Sequence, residues 1–213
     1  MTESARNYLP AAGRDIFLPL YDPIVKLFGG GAAREQLLAQ AAIRPSDRVF
    51  DLGCGTGTMA VFIKQQLPQV EIVGLDPDPK ALARARKKAQ RAGFAIQFDQ
   101  GFGDRLPYPA ASFDRAFSSF MFHHLPVEEK GKTLREVHRV LKPGGEFHLA
   151  DFEGPGDHKQ GFITRLLLSH AHLKENSAAN VIALMKEAGF ADAAKVGRRN
   201  KLFGGVAYYR AMT

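Results

Sequence analysis

The sequence predicts an α/β fold, a mostly parallel sheet wound with helices on both faces, and three observations predict it. From residue 47 onward, short β-branched runs alternate with helical patterns, the signature of such a sheet. The first predicted strand ends in a glycine-rich loop that opens a helix, VFDLGCGTGT over residues 49–58. The second closes on a carboxylate, Asp76, at the end of the sheet where open α/β folds bind ligands. With 213 residues, 45% of them hydrophobic, the chain is long enough for one well-buried core, so a single domain is expected.

In order, residues 48–52 read as a strand, 58–67 as a helix stopped by Pro68, and 71–76 as a second strand. The next helix is punctuated at both ends: Asp78 can cap its first amides, Pro79 fits the first helical position, and Gly93 suits the turn past its end. A third strand is expected at 95–99 and a fourth at 114–119, before a helix with the apolar stripe Leu134, Val137, Val140 and Leu141. KPGG then turns the chain into a fifth strand at 146–152, and residues 177–188, closed by Gly189, form the last core helix. Strands at 191–196 and 206–211 finish the sheet, with Gly204 and Gly205 between them.

Two segments stand outside this rhythm. Residues 1–46 carry helical stretches around 16–28 and 34–42, and residues 153–176 combine a glycine-rich linker with an apolar helix. Both are expected to cover the ligand cleft. The domain over 1–213 thus divides into an N-terminal helical cover (1–46), a core (47–152), a lid (153–176) and a C-terminal helix and strand pair (177–213).

Lysine and arginine outnumber the acids 29 to 22, a net charge of +7 that favours anionic partners. The densest basic run is KALARARKKAQR. There Leu82, Ala85, Ala89 and Ala92 share one helical face and Arg84, Lys87, Lys88 and Arg91 the other, and no aromatic residues are interleaved as base-stacking platforms. This reads as a solvated helix face, which leaves nucleic acid the weaker class of partner and a small molecule the stronger. No stretch reaches the roughly 18 apolar residues of a membrane span, and the N-terminal residues lack the layout of a signal peptide. Cys54, the single cysteine, suits a reducing cytoplasm. Without HExxH or CxxC, and with seven scattered histidines, no metal site is expected. Oligomeric state has no signal in the sequence.

The glycine loop decides the ligand class. A dinucleotide fingerprint, GxGxxG, would put its third glycine at Thr58; the chain instead reads GxGxG. Asp51, two residues before Gly53, would repel a pyrophosphate and attract a cation. Asp76 can accept both hydroxyl protons of a ribose.

With these residues the chain resembles the class I S-adenosylmethionine-dependent methyltransferases, especially the small-molecule group that includes quinone-biosynthesis C-methyltransferases. The resemblance spans roughly residues 45–152 and rests on VFDLGCGTG, VGLDPDPKAL, LPYPAASFD, FMFHHL and REVHRVLKPGG, in that order. It implies a Rossmann-like doubly wound sheet of seven strands, the last antiparallel. It also implies S-adenosyl-L-methionine as cofactor and S-adenosyl-L-homocysteine as product. The methionine part would lie over Gly53, Cys54, Gly55 and Gly57, with Asp51 toward its amino group and Asp76, followed by Pro77, at the ribose. One triplet departs from the family: where members often carry Gly-Asp-Ala near the adenine, this chain has Gly101, Phe102 and Gly103. Either Phe102 stacks on the adenine or Asp104 reaches its amino group.

Methyl transfer from a sulfonium is an in-line displacement that alignment and desolvation can largely drive. A base is needed only when the acceptor must lose a proton. Ser118 and the residues after it, through His123 and His124, are expected beside the transferable methyl, and either histidine is a candidate base. In extended chain only one would face the pocket, and His123 is preferred; the alternative is that the pair only hydrogen-bonds the following loop. The strand lacks the Asn-Pro-Pro-Tyr or Asp-Pro-Pro-Tyr that amide and adenine methyltransferases use, and the apolar stretches 16–28 and 162–168 favour a quinone, polyketide or lipid. The expected function is methyl transfer to a small apolar or aromatic acceptor. The alternatives are an RNA methyltransferase, a non-catalytic cofactor-binding protein and, weaker, a nicotinamide oxidoreductase.

Overall fold

The computed structural model describes residues 30–154, 176–201 and 204–213. Helix α1 (Gly30–Ala41) leads into β1 (Arg48–Leu52), α2 (Thr58–Gln66), β2 (Glu71–Asp76), α3 (Pro79–Arg91) and β3 (Gln97–Gln100). Then come β4 (Phe113–Ser119), α4 (Val127–Val140), β5 (Leu141–Phe152), α5 (Ala178–Glu187), β6 (Ala191–Lys201) and β7 (Gly204–Met212). The strands form one seven-stranded sheet in the order β3-β2-β1-β4-β5-β7-β6. The first five strands run parallel, and β7 runs antiparallel to both of its neighbours. The expected doubly wound fold with an antiparallel last strand is what the chain adopts.

Residues on alternate sides of the strands enter two cores. Phe50, Leu52, Ala116 and Leu149 pack with Leu134 and Val137 of α4 and Val181 and Met185 of α5. On the other face Val49, Phe117, Ala150 and Tyr208 meet Leu37 of α1, Ile63 of α2 and Leu82 and Ala85 of α3. Asp78 caps α3 as expected, its side chain accepting from the Lys80 amide at 2.8 Å, with Pro79 in the first turn. Strand order reverses between β1 and β4, so their carboxyl ends open the crevice in which such sheets bind ligands.

Two motifs turn out to brace this frame. The Leu106 amide donates to Glu136 Oε2 at 2.7 Å, and the Arg139 guanidinium donates to the Leu106 and Tyr108 carbonyls at 3.1 and 2.8 Å. LPYPAASFD and REVHRV are thereby tied together, and the Tyr108 ring packs edge-on against Phe50 and Phe113.

Some boundaries differ from expectation. The third strand begins at Gln97 rather than residue 95, because pairing with β2 starts at Val73 opposite Gln97. Leu141 is buried but does not extend α4; it is the first residue of β5, opposite Phe113. KPGG makes no separate turn and lies inside β5 as an irregularity, since pairing resumes at Glu146 opposite Arg115. Gly204 and Gly205 belong to β7, opposite Lys201 and Asn200. Within the N-terminal segment, α1 sinks Ala33, Leu37 and Ala41 into the core. The expected helix at 16–28 and almost all of the expected lid lie outside the described residues.

Candidate active site

The loop after β1 folds against the end of β2. The amides of Gly53 and Cys54 both donate to the Leu75 carbonyl, at 2.8 and 3.0 Å, and the Gly55 amide donates to Asp76 Oδ2 at 2.9 Å. The other Asp76 oxygen accepts from the Asp78 amide at 2.9 Å. Gly55 and Gly57 have φ of +53° and +73°, where a side chain is strained, but they serve different ends. A Cβ on Gly57 would meet the Ala85 Cβ at 2.8 Å and the Phe98 ring at 3.0 Å, so this glycine lets α3 and β3 close on the loop. A Cβ on Gly55 would find no described atom within 4 Å; the space above it is open.

Two buried carboxylates lie beside this loop. Asp51 is 1% exposed; it accepts from the Ala60 amide near the start of α2, while its Oδ2 has no partner among the described residues. Burial and the nearby Asp76 charge push its pKa up to about 7. Burial raises Asp76 to about 6 against the opposing pull of the Asp78 and Gly55 amides. An orphaned oxygen on a costly buried charge, beside an acceptor-rich carboxylate and an open backbone cradle, fits a ligand with an ammonium group and vicinal hydroxyls. The residues therefore fit S-adenosylmethionine as the resemblance implies it.

The other expected residues gather on the same edge. Cys54 is buried, and its thiol is pushed up by burial and by Asp51 and Asp76, which makes it a packing residue rather than a nucleophile. Pro77 is half-buried and its carbonyl accepts from the Gln100 side chain at 3.1 Å. Phe102 and Asp104 are half-buried in the turn after β3, next to Gly101, whose amide donates to the Asp76 carbonyl at 3.2 Å. Ser118 lies opposite Leu52 in the β1–β4 pairing, fully buried, its Oγ without a partner among the described residues. Lys88 departs from expectation. It does not simply point into solvent; its Nζ donates to the Thr56 and Thr58 hydroxyls at 3.0 and 2.5 Å, tying α3 to the glycine loop.

Beyond β4 the extended-chain premise fails, because residues Phe122–His124 form a 3-10 turn. Neighbouring side chains therefore do not alternate, and the His123 and His124 rings lie together with centroids 4.0 Å apart. His123 is 3% exposed; its amide donates to Asp151 Oδ2 at 2.9 Å and its Nδ1 lies 2.5 Å from Asp151 Oδ1. The partner is thus the end of β5, not the following loop. Burial and the neighbouring His123 hold His124 down to about 4. Phe152 stands edge-on to His123 at 5.1 Å and 5.2 Å from Phe120. Phe120 has φ +56°, a left-handed conformation costly for a phenylalanine, while its amide donates to the Ala150 carbonyl at 2.9 Å. Met121 bridges the two halves of the site: a Cβ on Gly53 would lie 2.4 Å from the Met121 Cγ.

Asp151 and Phe152 were not anticipated, whereas Phe120 falls in the stretch after Ser118 expected beside the methyl. The signal for Asp151 was present as a repeat of one pattern, an acid at the end of a buried strand or one residue short of it, as in VFDL at Asp51 and GLD at Asp76. Among the described residues no group of three His, Cys, Asp or Glu side chains could hold a metal ion, and no helix is long and apolar enough to cross a membrane.

A family model described as a methyltransferase domain matches residues 49–145. A demethylmenaquinone methyltransferase of Deinococcus radiodurans is 33% identical over 204 residues, 92% of this chain and 84% of that protein. A protein of the same name from Thermus thermophilus is 34% identical over 151 residues, covering 70% and 68% of the two chains. The crystal structure of the YcgJ protein from Bacillus subtilis superposes with a TM-score of 0.71 over 86% of this chain and 98% of that one. At 21% identity, this last likeness is one of fold.

Proposed function

The chain belongs to the methyltransferase-domain family of S-adenosylmethionine-dependent enzymes, and on that premise we propose that it methylates a ring carbon of an apolar hydroquinone. The observation that carries the reading is the group of four rings, Phe120, His123, His124 and Phe152, at the carboxyl ends of β4 and β5. Met121 joins it to the carboxylate-lined loop. A planar apolar acceptor suits such a wall. The two relatives named for demethylmenaquinone support a quinone skeleton, and chemistry selects its reduced form: a quinone ring is electron-poor, whereas a hydroquinone that gives up a hydroxyl proton becomes a carbon nucleophile.

S-adenosylmethionine, when bound, supplies a methyl group on a sulfonium that departs as a neutral thioether. In this reading the Asp51 carboxylate holds the ammonium group and Asp76 the ribose hydroxyls, while Gly55 leaves room for close approach. Ser118 offers a hydroxyl near the reacting end, and Phe102 or Asp104 lies at the adenine. Phe120 and Phe152 hold the acceptor ring and exclude water around it. His123 takes the hydroxyl proton as the ring carbon attacks the methyl. The proton on that carbon then moves to the oxygen, restoring the aromatic hydroquinone, and the proton on His123 passes to solvent.

Anaerobic incubation with S-adenosylmethionine and reduced short-chain demethylmenaquinone, read by mass spectrometry, tests the proposal. A product heavier by one methylene, with S-adenosylhomocysteine in equal amount, is expected. Turnover with RNA and none with the quinol would overturn it.

A further inference from the structure

We propose that Asp151 is a positioning residue for His123, fixing the ring so that Nδ1 carries the proton and Nε2 is the nitrogen that accepts one. The inference rests on the reading of His123 as a base for an acidic hydroxyl, but its geometry stands by itself. Asp151 is the next-to-last residue of β5, at 1% exposure. Its Oδ2 accepts the His123 amide at 2.9 Å and its Oδ1 the Phe152 amide at 2.7 Å, so both oxygens are already oriented by backbone donors. A carboxylate held in this way presents only lone pairs to the imidazole. The ring atom 2.5 Å from Oδ1 is Nδ1, which must therefore be the N–H, and Nε2 is left as the acceptor. A histidine fixed at one nitrogen has its tautomer and ring plane set before substrate arrives.

The surroundings keep the arrangement in place. Phe152 stands edge-on to the His123 ring at 5.1 Å and His124 packs on it at 4.0 Å. The titratable neighbours are His124 on the same turn, held down to about 4 and so neutral near pH 7, and Tyr209 of β7 beside Asp151, its hydroxyl pushed up by burial and by the Glu153 and Asp151 charges. Neither competes for the Nδ1 proton.

An amide cannot replace this carboxylate. In Asp151→Asn the NH2 group would face a backbone N–H at either oxygen position, and turned toward the ring it would donate to Nδ1 and move the proton to Nε2.

Long-range nitrogen–proton NMR of the parent protein with S-adenosylhomocysteine, with His123 assigned by His123→Gln, reads the tautomer directly. A protonated Nδ1 and an unprotonated Nε2 are expected; the opposite assignment overturns the proposal. In Asp151→Asn, assayed with reduced short-chain demethylmenaquinone, kcat is expected to fall by about 10²-fold or more while KM and S-adenosylhomocysteine affinity stay within about threefold. A fall in kcat below tenfold, or one matched by equal loss of S-adenosylhomocysteine affinity, also overturns it. Should the variant fail to fold, the parent's tautomer decides alone. Failure of the parent to turn over the quinol counts against the acceptor reading, and the tautomer still decides the role of Asp151.

Discussion

The carboxylates of Asp51 and Asp76 lie at the ends of adjacent strands, one residue before the last of β1 and at the last of β2, and the charge of Asp76 adds to burial in lifting Asp51 to about 7. Asp76 itself is lifted to about 6. Both groups thus take up protons in the cofactor-free protein at pH values where an exposed aspartate is ionised.

A cationic ligand favours the ionised carboxylates, so binding should release protons between about pH 6 and 7, and affinity should weaken as pH falls through that range. Calorimetry in buffers of different ionisation heat checks this; zero proton release would mean the ligand does not face Asp51. The sign for folding is opposite. With folded values above the unfolded 3.8, these groups hold their stabilising contribution below that value and lose it as pH rises toward 6 and 7. The cofactor-free melt should show that component, and Asp51→Asn should reduce it.

Replacing Asp76 by Ala should remove the ribose contacts together with the acceptor for the Gly55 amide. A loss of about 1.5–3 kcal/mol in S-adenosylhomocysteine affinity is expected, roughly 10- to 150-fold. Affinity equal to the parent's would displace the ribose from this strand end.

Gly55 and Gly57 should separate binding from stability. Gly57→Ala adds a clash with Ala85 and Phe98 to backbone strain, so it should cost about 1–3 kcal/mol more stability than Gly55→Ala. Gly55→Ala carries only the strain, about 1–2 kcal/mol, but fills the open space above the loop and should weaken cofactor binding the more of the two. Thermal melts with and without S-adenosylhomocysteine distinguish them.

The sheet was legible because its signals are local. β1 and β2 have the boundaries their apolar runs and flanking turns suggest, and Asp78 and Pro79 mark the start of α3 as their chemistry requires. What was not legible depends on pairing across the fold. KPGG reads as a turn until β4 engages both sides of it, and Leu141 reads as helix until Phe113 pairs with it. The carboxylates and glycines of the loop were visible as a motif. The His123–Asp151 pair was not, because 28 residues separate them and the 3-10 turn that joins them replaces an expected extended strand.

His148 offers a test of the core. It is fully buried and stacked on Phe117; its Nε2 lies 3.1 Å from Glu146 Oε2 without hydrogen-bond geometry, and neither ring nitrogen has a hydrogen-bond partner among the described residues. Burial, with Arg115 and Arg210 nearby, holds its pKa down to about 3. The unfolded chain binds a proton here below 6.5 and the folded chain does not until about 3, so stability should fall as pH drops across that window. His148→Phe should flatten this acid-side loss in urea titrations, and an unchanged slope would mean the folded protein already accommodates the charge.

His123→Gln should lower kcat by about 10²- to 10⁴-fold and leave S-adenosylhomocysteine affinity near the parent's. Full activity per folded molecule with a lower melting temperature would make His123 a packing residue.

The proposed reaction carries a methyl group to the carbon of an aromatic ring seated against Phe120 and Phe152. Incubation of the protein with isotopically methyl-labelled S-adenosylmethionine and reduced short-chain demethylmenaquinone, followed by NMR of the product, locates the transferred carbon. The label bonded directly to a ring carbon is the predicted result; a methoxy signal, or bound cofactor with no labelled product, would contradict it.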